Sequence, residues 1–555
     1  MLPRRSRVRT SLLAAALPVL TALLVPAAAG ASGSAPTALV GWGEDFHGQI
    51  GAGYHSRWQT PETALLPAGV KEVALGMGGG LALMTDGSVY SWGGNIYGQL
   101  GLGYRNRYAL RPVRIPSLSG VLQVAASGTH SMALLSNGTV EVWGSNLYGD
   151  LGNGTSTHGK EPAGDYVDVP QPVPGLHEVS YIAAGGPDDA AVLRNGTVYA
   201  WGQNASGQLG DGTRVEKEVP VQVQHLSGVR SVAIGAFPSS GGHMLALLDN
   251  GTVMALGRND QGQLGDGTTV DSPTPVSVSR LSHVVAISAD ISHSLALTSN
   301  GVLYAFGGNE YGQLGVGSGP ESCEGRPCSR VPVALAPRPV TSMSAGFRYS
   351  TAVVRGTPYA WGWNTQGQLG DGTTVQKDTP TPVAGVHGAS MVAASWYYTF
   401  AGLDGPGPPR PVALFRAGSA LNLSWLPGGT TSRWHVSWRV APRGTWGPEA
   451  VLPPTARSHS IAGMSFTVPY EVRLSPGGGN GRVLQWGEAD PWLWNSGMPP
   501  GETTEGEEEE TEEQEPPTAP ALAPVTPVPP APAPHAAETA APTSAAPSPT
   551  RMLGG

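Results

Sequence analysis

Val89-Tyr90-Ser91-Trp92-Gly93-Gly94-Asn95-Ile96-Tyr97-Gly98-Gln99-Leu100-Gly101-Leu102-Gly103 is a stretch that this 555-residue chain writes seven times. The Trp92 position recurs at Trp42, Trp143, Trp201, Leu256, Phe306 and Trp361, with spacings of 50, 51, 58, 55, 50 and 55 residues. A period of this size is the signature of a repeat architecture. Each copy opens as a strand, because apolar residues alternate along it, as at Val140 and Val142 before Trp143. The Trp-Gly pair ends the strand, and the glycine-rich Asn-x-x-Gly-Gln-Leu-Gly turns the chain. Its aliphatic residue (Ile50, Leu100, Leu151, Leu209, Leu264, Leu314, Leu369) is the natural packing residue.

Working outward, each interval between copies holds two further strands, such as Val121–Ala126 and His130–Leu135, before the turn Asn137-Gly138. Asn-Gly and Asp-Gly are strong hairpin signals, and they recur at Asp86, Asn195, Asn250 and Asn300. Residues 112–115 and their equivalents supply a fourth strand. Four strands in each of seven units make a propeller. Its two ends are complementary. Residues 392–403 repeat the inner strands and reach Asp404-Gly405, where Pro406 and Pro408 forbid a Trp-Gly strand. Residues 39–43 are such a strand with nothing before them. The ring is expected to close by pairing the two, which hides both edges.

The extended pattern, Ala-x-Gly-x-x-His-Ser-x-Ala-Leu followed by Gly-x-Val-x-x-Trp-Gly-x-Asn-x-x-Gly-Gln-Leu-Gly, resembles the regulator of chromosome condensation repeat over about residues 38–405. The resemblance implies an all-β chain with a seven-bladed β-propeller. The histidine slot departs from the pattern, holding Gly79, His130, Asp188, His243, His293, Tyr349 and Tyr398. The family's namesake is a nuclear guanine-nucleotide exchange factor, and a secreted propeller of similar repeats inhibits a β-lactamase.

The flanks read differently. Arg4, Arg5, Arg7 and Arg9, an apolar run over 12–25 and Ala29-Gly30-Ala31 form a signal peptide over residues 1–31. No second apolar run follows, so export without a membrane span is expected. Cys323 and Cys328 are the two cysteines, and in an exported chain a local disulfide is expected of them. Residues 408–490 lose the period. Within them 421–425, 434–439 and 468–473 resemble strands of a fibronectin type III sandwich, with Trp425 in its core and Tyr470 at its corner. Residues 499–555, acidic and then Pro/Ala-rich, read as a disordered tail. Nine glutamates between Glu502 and Glu515 account for the whole net charge of −9. There is no basic stripe, so no nucleic-acid partner is expected.

Chemistry is sparse. Gly-x-Ser-x-Gly and His-Glu-x-x-His are missing, and the string from Gly154 to Lys160 lacks the Ser or Thr of a phosphate loop. His130, His243 and His293 occupy equivalent places in different units, which favours hydrogen bonding to a neighbouring turn over metal ligation. No cofactor and no metal are expected. The loops carry what differs between units: 155–169 with His158, 237–242 with Phe237, 318–330 with Arg326, and the pair Asp188-Asp189. Asp188 and Asp189 read as a solvated turn or a partner contact. The leading expectation is a secreted, monomeric, non-enzymatic scaffold that binds a protein partner through these loops, inhibiting an extracellular enzyme in one version. Exchange activity on a small GTPase and a polysaccharide-associated enzyme or binding module are the alternatives.

Overall fold

A computed structural model describes Pro36 and residues 38–486 except 54–57, 158–165, 238–240, 337–338, 405–409, 418–419, 427–433, 441–446, 448, 454, 457, 463–469 and 477–481. The expected signal peptide and tail, and His158, lie outside the described residues. Those described contain strands and no helix.

The first blade shows how the repeat folds. Val70–Leu75 lines the centre, Gly79–Met84 and Val89–Gly94 follow outward, and Tyr108–Arg114 is the outer strand, all antiparallel. Blades two to six repeat this over residues 121–172, 179–222, 229–277, 284–334 and 340–382.

The motif holds blades together rather than stabilising one blade alone. Leu151 packs with Trp201 of the next copy, Leu314 with Trp361, and Leu369 with Trp42. The indole Nε1 of Trp143 donates to the carbonyl of Gln99 at 2.9 Å, and that of Trp92 to the carbonyl of Gln49 at 2.6 Å. Each repeat thus hands its aliphatic residue to the large apolar residue of its neighbour, and where that residue is tryptophan the carbonyl before the aliphatic residue, of glutamine or of Asp150, accepts the indole N–H. Gly101 shows why the second motif glycine is needed. Its φ is 69°, and a Cβ there would lie 2.7 Å from the Trp143 indole.

The seventh blade is composite. Ala389–Ala394 and Tyr398–Leu403 supply its inner half, and Ala38–Gly43 pairs alongside, Ala38 opposite Leu403 and Trp42 opposite Thr399. Trp58–Thr63 completes it from the same N-terminal segment, so two strands, not one, close the ring.

The 318–330 segment is not an open loop. Glu321–Cys323 pairs with Arg326–Ala334 and gives the fifth blade a fifth strand. Glu324 and Gly325, both at positive φ, make its two-residue turn. The Cys323 and Cys328 sulfurs lie 2.02 Å apart across it.

Beyond the propeller, Arg410–Ala417, Ala420–Leu426 and Ser458–Ile461 form one antiparallel sheet. Ala450–Leu452, Trp434–Val440, Tyr470–Pro476 and Arg482–Trp486 form another. Val436, Ile461 and Val472 are buried. The side chains of Trp425 and Tyr470 lie outside the described set.

Candidate functional site

Antiparallel alternation fixes which loops share an end of the ring. The turns between first and second strands lie with the loops between third and fourth strands. The hairpins joining second to third strands lie at the opposite end. The two ends differ in chemistry. Phe46, Ile96, Tyr104, Val215, Val270 and Val375 are exposed apolar side chains, Val270 reaching 70%, and all six sit on third-to-fourth-strand loops. The opposite hairpins carry Asp86, Asn137, Asn195, Asn250, Asn300 and Arg355 beside their glycines.

At the centre of the apolar end is an aromatic cluster from four blades. Phe347 stacks on Trp396 with centroids 5.2 Å apart and planes 15° off parallel. Trp396 also meets Phe237 at 5.2 Å. Trp363 lies 5.5 Å from Phe347 and 5.6 Å from Tyr397, both edge-on. Arg348 lies over the rings of Tyr311 and Phe347 at 4.6 and 4.8 Å, and its Nη1 donates to the Tyr311 hydroxyl at 2.7 Å. All of these side chains are half-buried. Beneath Arg348, its backbone N–H donates to the Asp290 carboxylate at 3.3 Å. Burial pushes the Asp290 carboxyl up to about 7, against the pull of the Ile291 and Arg348 N–H groups and the Arg348 charge. Trp396 lines a central channel of about 190 Å³ walled by the inner strands, so the cluster sits at the channel mouth.

The histidine slot serves the seams between blades. His243 Nε2 lies 2.8 Å from Ser294 Oγ, which donates to the Gln263 carbonyl, so the histidine donates from Nε2. His293 and Ser350 repeat the arrangement at 2.8 Å. The Tyr349 hydroxyl lies 2.9 Å from Thr399 Oγ1, and Tyr398 donates to the Gly76 and Gly79 carbonyls across the closing seam. Burial takes His243 and His293 down to about 3, which keeps both neutral. The histidines therefore bond mainly to a strand of the next blade, not to its turn, and do not converge. Among the described residues no group of three or more His, Cys, Asp or Glu is placed to hold a metal ion.

The Asp188-Asp189 reading is corrected. Both are buried, at 1% and 0% exposure, so they form neither a solvated turn nor a partner contact. Asp189 faces His130, and Asp188 accepts from Gln208 Nε2 at 3.1 Å. The slot is buried here as it is at His243 and His293, but Asp188 bonds Gln208 of its own repeat, and it is the next residue, Asp189, that reaches across the seam to His130. Phe237 does belong to the aromatic cluster. Arg326 is exposed on the fifth-blade hairpin, 4.0 Å from Glu310, and touches none of the cluster rings. Phe347, Arg348, Trp363, Trp396 and Tyr397 escaped the sequence reading. For four of them the signal was the two positions before the histidine slot, which read Phe347-Arg348 and Trp396-Tyr397 in the last two units but Gly128-Thr129 in the second; Trp363 follows the Trp361-Gly362 pair, where no other copy has an aromatic residue. Large aromatics there add nothing to blade packing.

The molecule is a seven-bladed β-propeller whose two ends differ: one carries the aromatic cluster and six exposed apolar side chains among charged turns, the other short polar hairpins. Its blades are regulator of chromosome condensation (RCC1) repeats, matched over residues 86–134, 195–239, 250–297, 300–353 and 355–401, with a second model of that repeat matching 70–99, 121–150 and 284–313. The chain is 32% identical over 371 residues to the human E3 ubiquitin-protein ligase HERC2, covering 65% of this chain and 7% of that one. It is 32% identical over 275 residues to the ultraviolet-B receptor UVR8 of Arabidopsis thaliana, 48% of this chain and 59% of the receptor. The chain thus spans less than two thirds of the length of either relative. Prp20p of Saccharomyces cerevisiae, described with its binding properties to Gsp1p and histones, shares the fold at TM-score 0.57 and 24% identity, over 68% of this chain and 92% of Prp20p. Human WBSCR16 shares it at TM-score 0.57 and 23% identity, over 66% and 99%.

Proposed function

We propose that this chain is an exported, non-enzymatic scaffold that binds a protein partner with the apolar end of its propeller. The observation that carries the reading is the Phe347–Trp396 aromatic cluster at one end of the ring, with six exposed apolar side chains on the loops of that same end. Interface centres favour aromatic residues and arginine, which bring large contact area at low conformational cost. Rings at the channel mouth are held in place by one another and by Arg348, so little freedom is lost on binding. Commitment of His130, His243 and His293 to blade seams supports a scaffold over a catalyst. That Prp20p is described as binding Gsp1p and histones supports protein recognition by a propeller of this kind. Inhibition of an extracellular enzyme is the version that an export signal favours. The two sheets of residues 410–486 support an appended fibronectin-like module.

The test compares two double variants of the full chain in partner capture from the culture medium. Phe347→Ser with Trp396→Ser should abolish capture of a partner that wild type retains, at an unchanged melting temperature. Arg194→Ser with Asn195→Ser at the opposite end should leave capture intact. Equal capture by both variants would sink the reading.

A further inference from the structure

The first blade carries four arginines on one short stretch, too few for the basic stripe that a nucleic acid needs. The segment Tyr104-Arg105-Asn106-Arg107-Tyr108-Ala109-Leu110-Arg111-Pro112-Val113-Arg114 holds four arginines and no acid. All four are exposed. Arg105 lies 5.4 Å above the Tyr166 ring, and Tyr166 meets Tyr97 at 5.5 Å, so the row begins at the rim of the apolar end. It then follows the outer strand Tyr108–Arg114 down the blade wall.

Among the described residues no carboxylate lies within ion-pair distance of any of the four. Arg114 acts on Asp86 only at longer range, whereas several surface cations of other blades have ion-pair partners. Arg214 meets Asp271 at 3.3 Å, Lys217 meets Asp211 at 3.2 Å, Arg330 meets Glu321 at 2.7 Å and Lys377 meets Asp371 at 3.3 Å. The difference has a local origin. Blades three, four and six turn through Asp211, Asp266 and Asp371, whereas the first blade runs Leu102-Gly103-Tyr104 and lets Asn106 bond Asn95 instead. Four like charges within ten residues repel one another, and an anion laid along them relieves that repulsion.

We propose that this row is a docking site for an acidic segment of a partner protein. Guanidinium forks take carboxylates two-pronged, which a compact ammonium does not. Among the described residues one edge of the outer strand pairs with no other strand, but Pro112 lacks an N–H and the arginines crowd the edge, so recognition runs through side chains rather than through an added strand. A duplex nucleic acid fits poorly. Four contacts neutralise too few phosphates on a chain whose net charge is −9. The site shares no residue with the Phe347–Trp396 cluster and stands whether or not that cluster binds anything.

The test titrates the full chain with a fluorescein-labelled deca-glutamate peptide, a ten-residue thymidine oligonucleotide and phosphatidylserine vesicles. The peptide should bind wild type, weaken steeply as salt rises, and bind the Arg105→Gln, Arg107→Gln, Arg111→Gln, Arg114→Gln variant at least tenfold more weakly. The matching four-lysine variant should fall between the two, which separates fork recognition from bare charge. Glutamine variants that melt as wild type does yet bind the peptide equally well would overturn the proposal. So would an oligonucleotide or vesicle affinity above that of the peptide. If the glutamine variant aggregates while peptide affinity is unchanged, the row guards a strand edge and is not a docking site.

Discussion

His130 of the second blade and Asp189 of the third meet across their seam with no solvent between them. The Nε2 atom lies 2.9 Å from each carboxylate oxygen, while Nδ1 lies 2.8 Å from Ser127 Oγ. Burial pulls the imidazole down, but the charge and hydrogen bond of Asp189 outweigh it and hold His130 above its ordinary value. Removing one member of such a pair strands the other in the interior, which costs about 3–5 kcal/mol. Asp189→Ala should therefore destabilise by about that amount in urea unfolding. Asp189→Asn should cost less, because an amide oxygen still accepts from Nε2.

The same seam predicts a pH dependence. Asp150 stands where other copies have glutamine, and burial pushes its carboxyl up to about 7, with His130 opposing and Asp189 adding to the rise. A carboxyl whose folded pKa exceeds its unfolded value of 3.8 stabilises fully below that value, and the contribution is lost as pH rises through about 7. Asp150→Gln removes this loss. The variant's melting temperature should gain on wild type between pH 5 and pH 8, by at least about 2 °C. His243 and His293 titrate with the opposite sign but are common to both proteins and cancel. A difference that stays flat with pH would refute the account.

Glu72 lines the channel and is pushed by burial up to about 8, against the pull of Lys71 and the Val124 backbone. Its contribution is likewise complete at acid pH and lost on passing about pH 8. Glu72→Gln should leave stability at pH 5 nearly unchanged and raise it at pH 9, read by calorimetry at the two values.

Trp42 bonds the Gln368 carbonyl at 2.8 Å and packs on Leu369, closing the ring from the N-terminal side. Trp42→Ala should destabilise by about 3–5 kcal/mol, as for other buried aromatics. Trp363→Ala, half-buried at the channel mouth, should cost much less. Equal losses would mean that Trp42 holds the ring no more firmly than a half-buried surface ring does.

Denatured, unreduced protein should show no free thiol. Cys323→Ser with Cys328→Ser should cost at most about 2 kcal/mol, the entropy of so short a loop. The change should loosen the fifth-blade hairpin in hydrogen exchange and leave the Glu321–Cys323 strand alone affected.

The ring was legible because its determinants are local and repeated. The Asn-x-x-Gly-Gln-Leu-Gly turn needs positive φ at fixed places, and the Trp slot returns at one period. Closure followed because Asp404-Gly405 runs into proline and residues 39–43 lack a predecessor. The candidate site was harder to see because Trp396 and Phe347 meet only through the ring, from blades whose turns are far apart in sequence. Asp188 misled for the opposite reason. Its environment is set by Gln208 and by a seam, neither of which an Asp-Asp pair announces.

Pairing Ala38 with Leu403 also sets a clock. The two are made about 365 residues apart, which at 5–20 residues per second leaves the first strand waiting roughly 20 to 70 s for its inner neighbour. During that interval Val40, buried in the finished ring with Ala401 and Leu403, lacks that cover, while Leu39 can already pack with Ile50 and Val70. A chain stopped anywhere before Tyr398 can stack blades but never finish one particular sheet. Completeness of synthesis is thereby written into the fold, since only a chain carrying both ends of the repeat array can bury its own beginning.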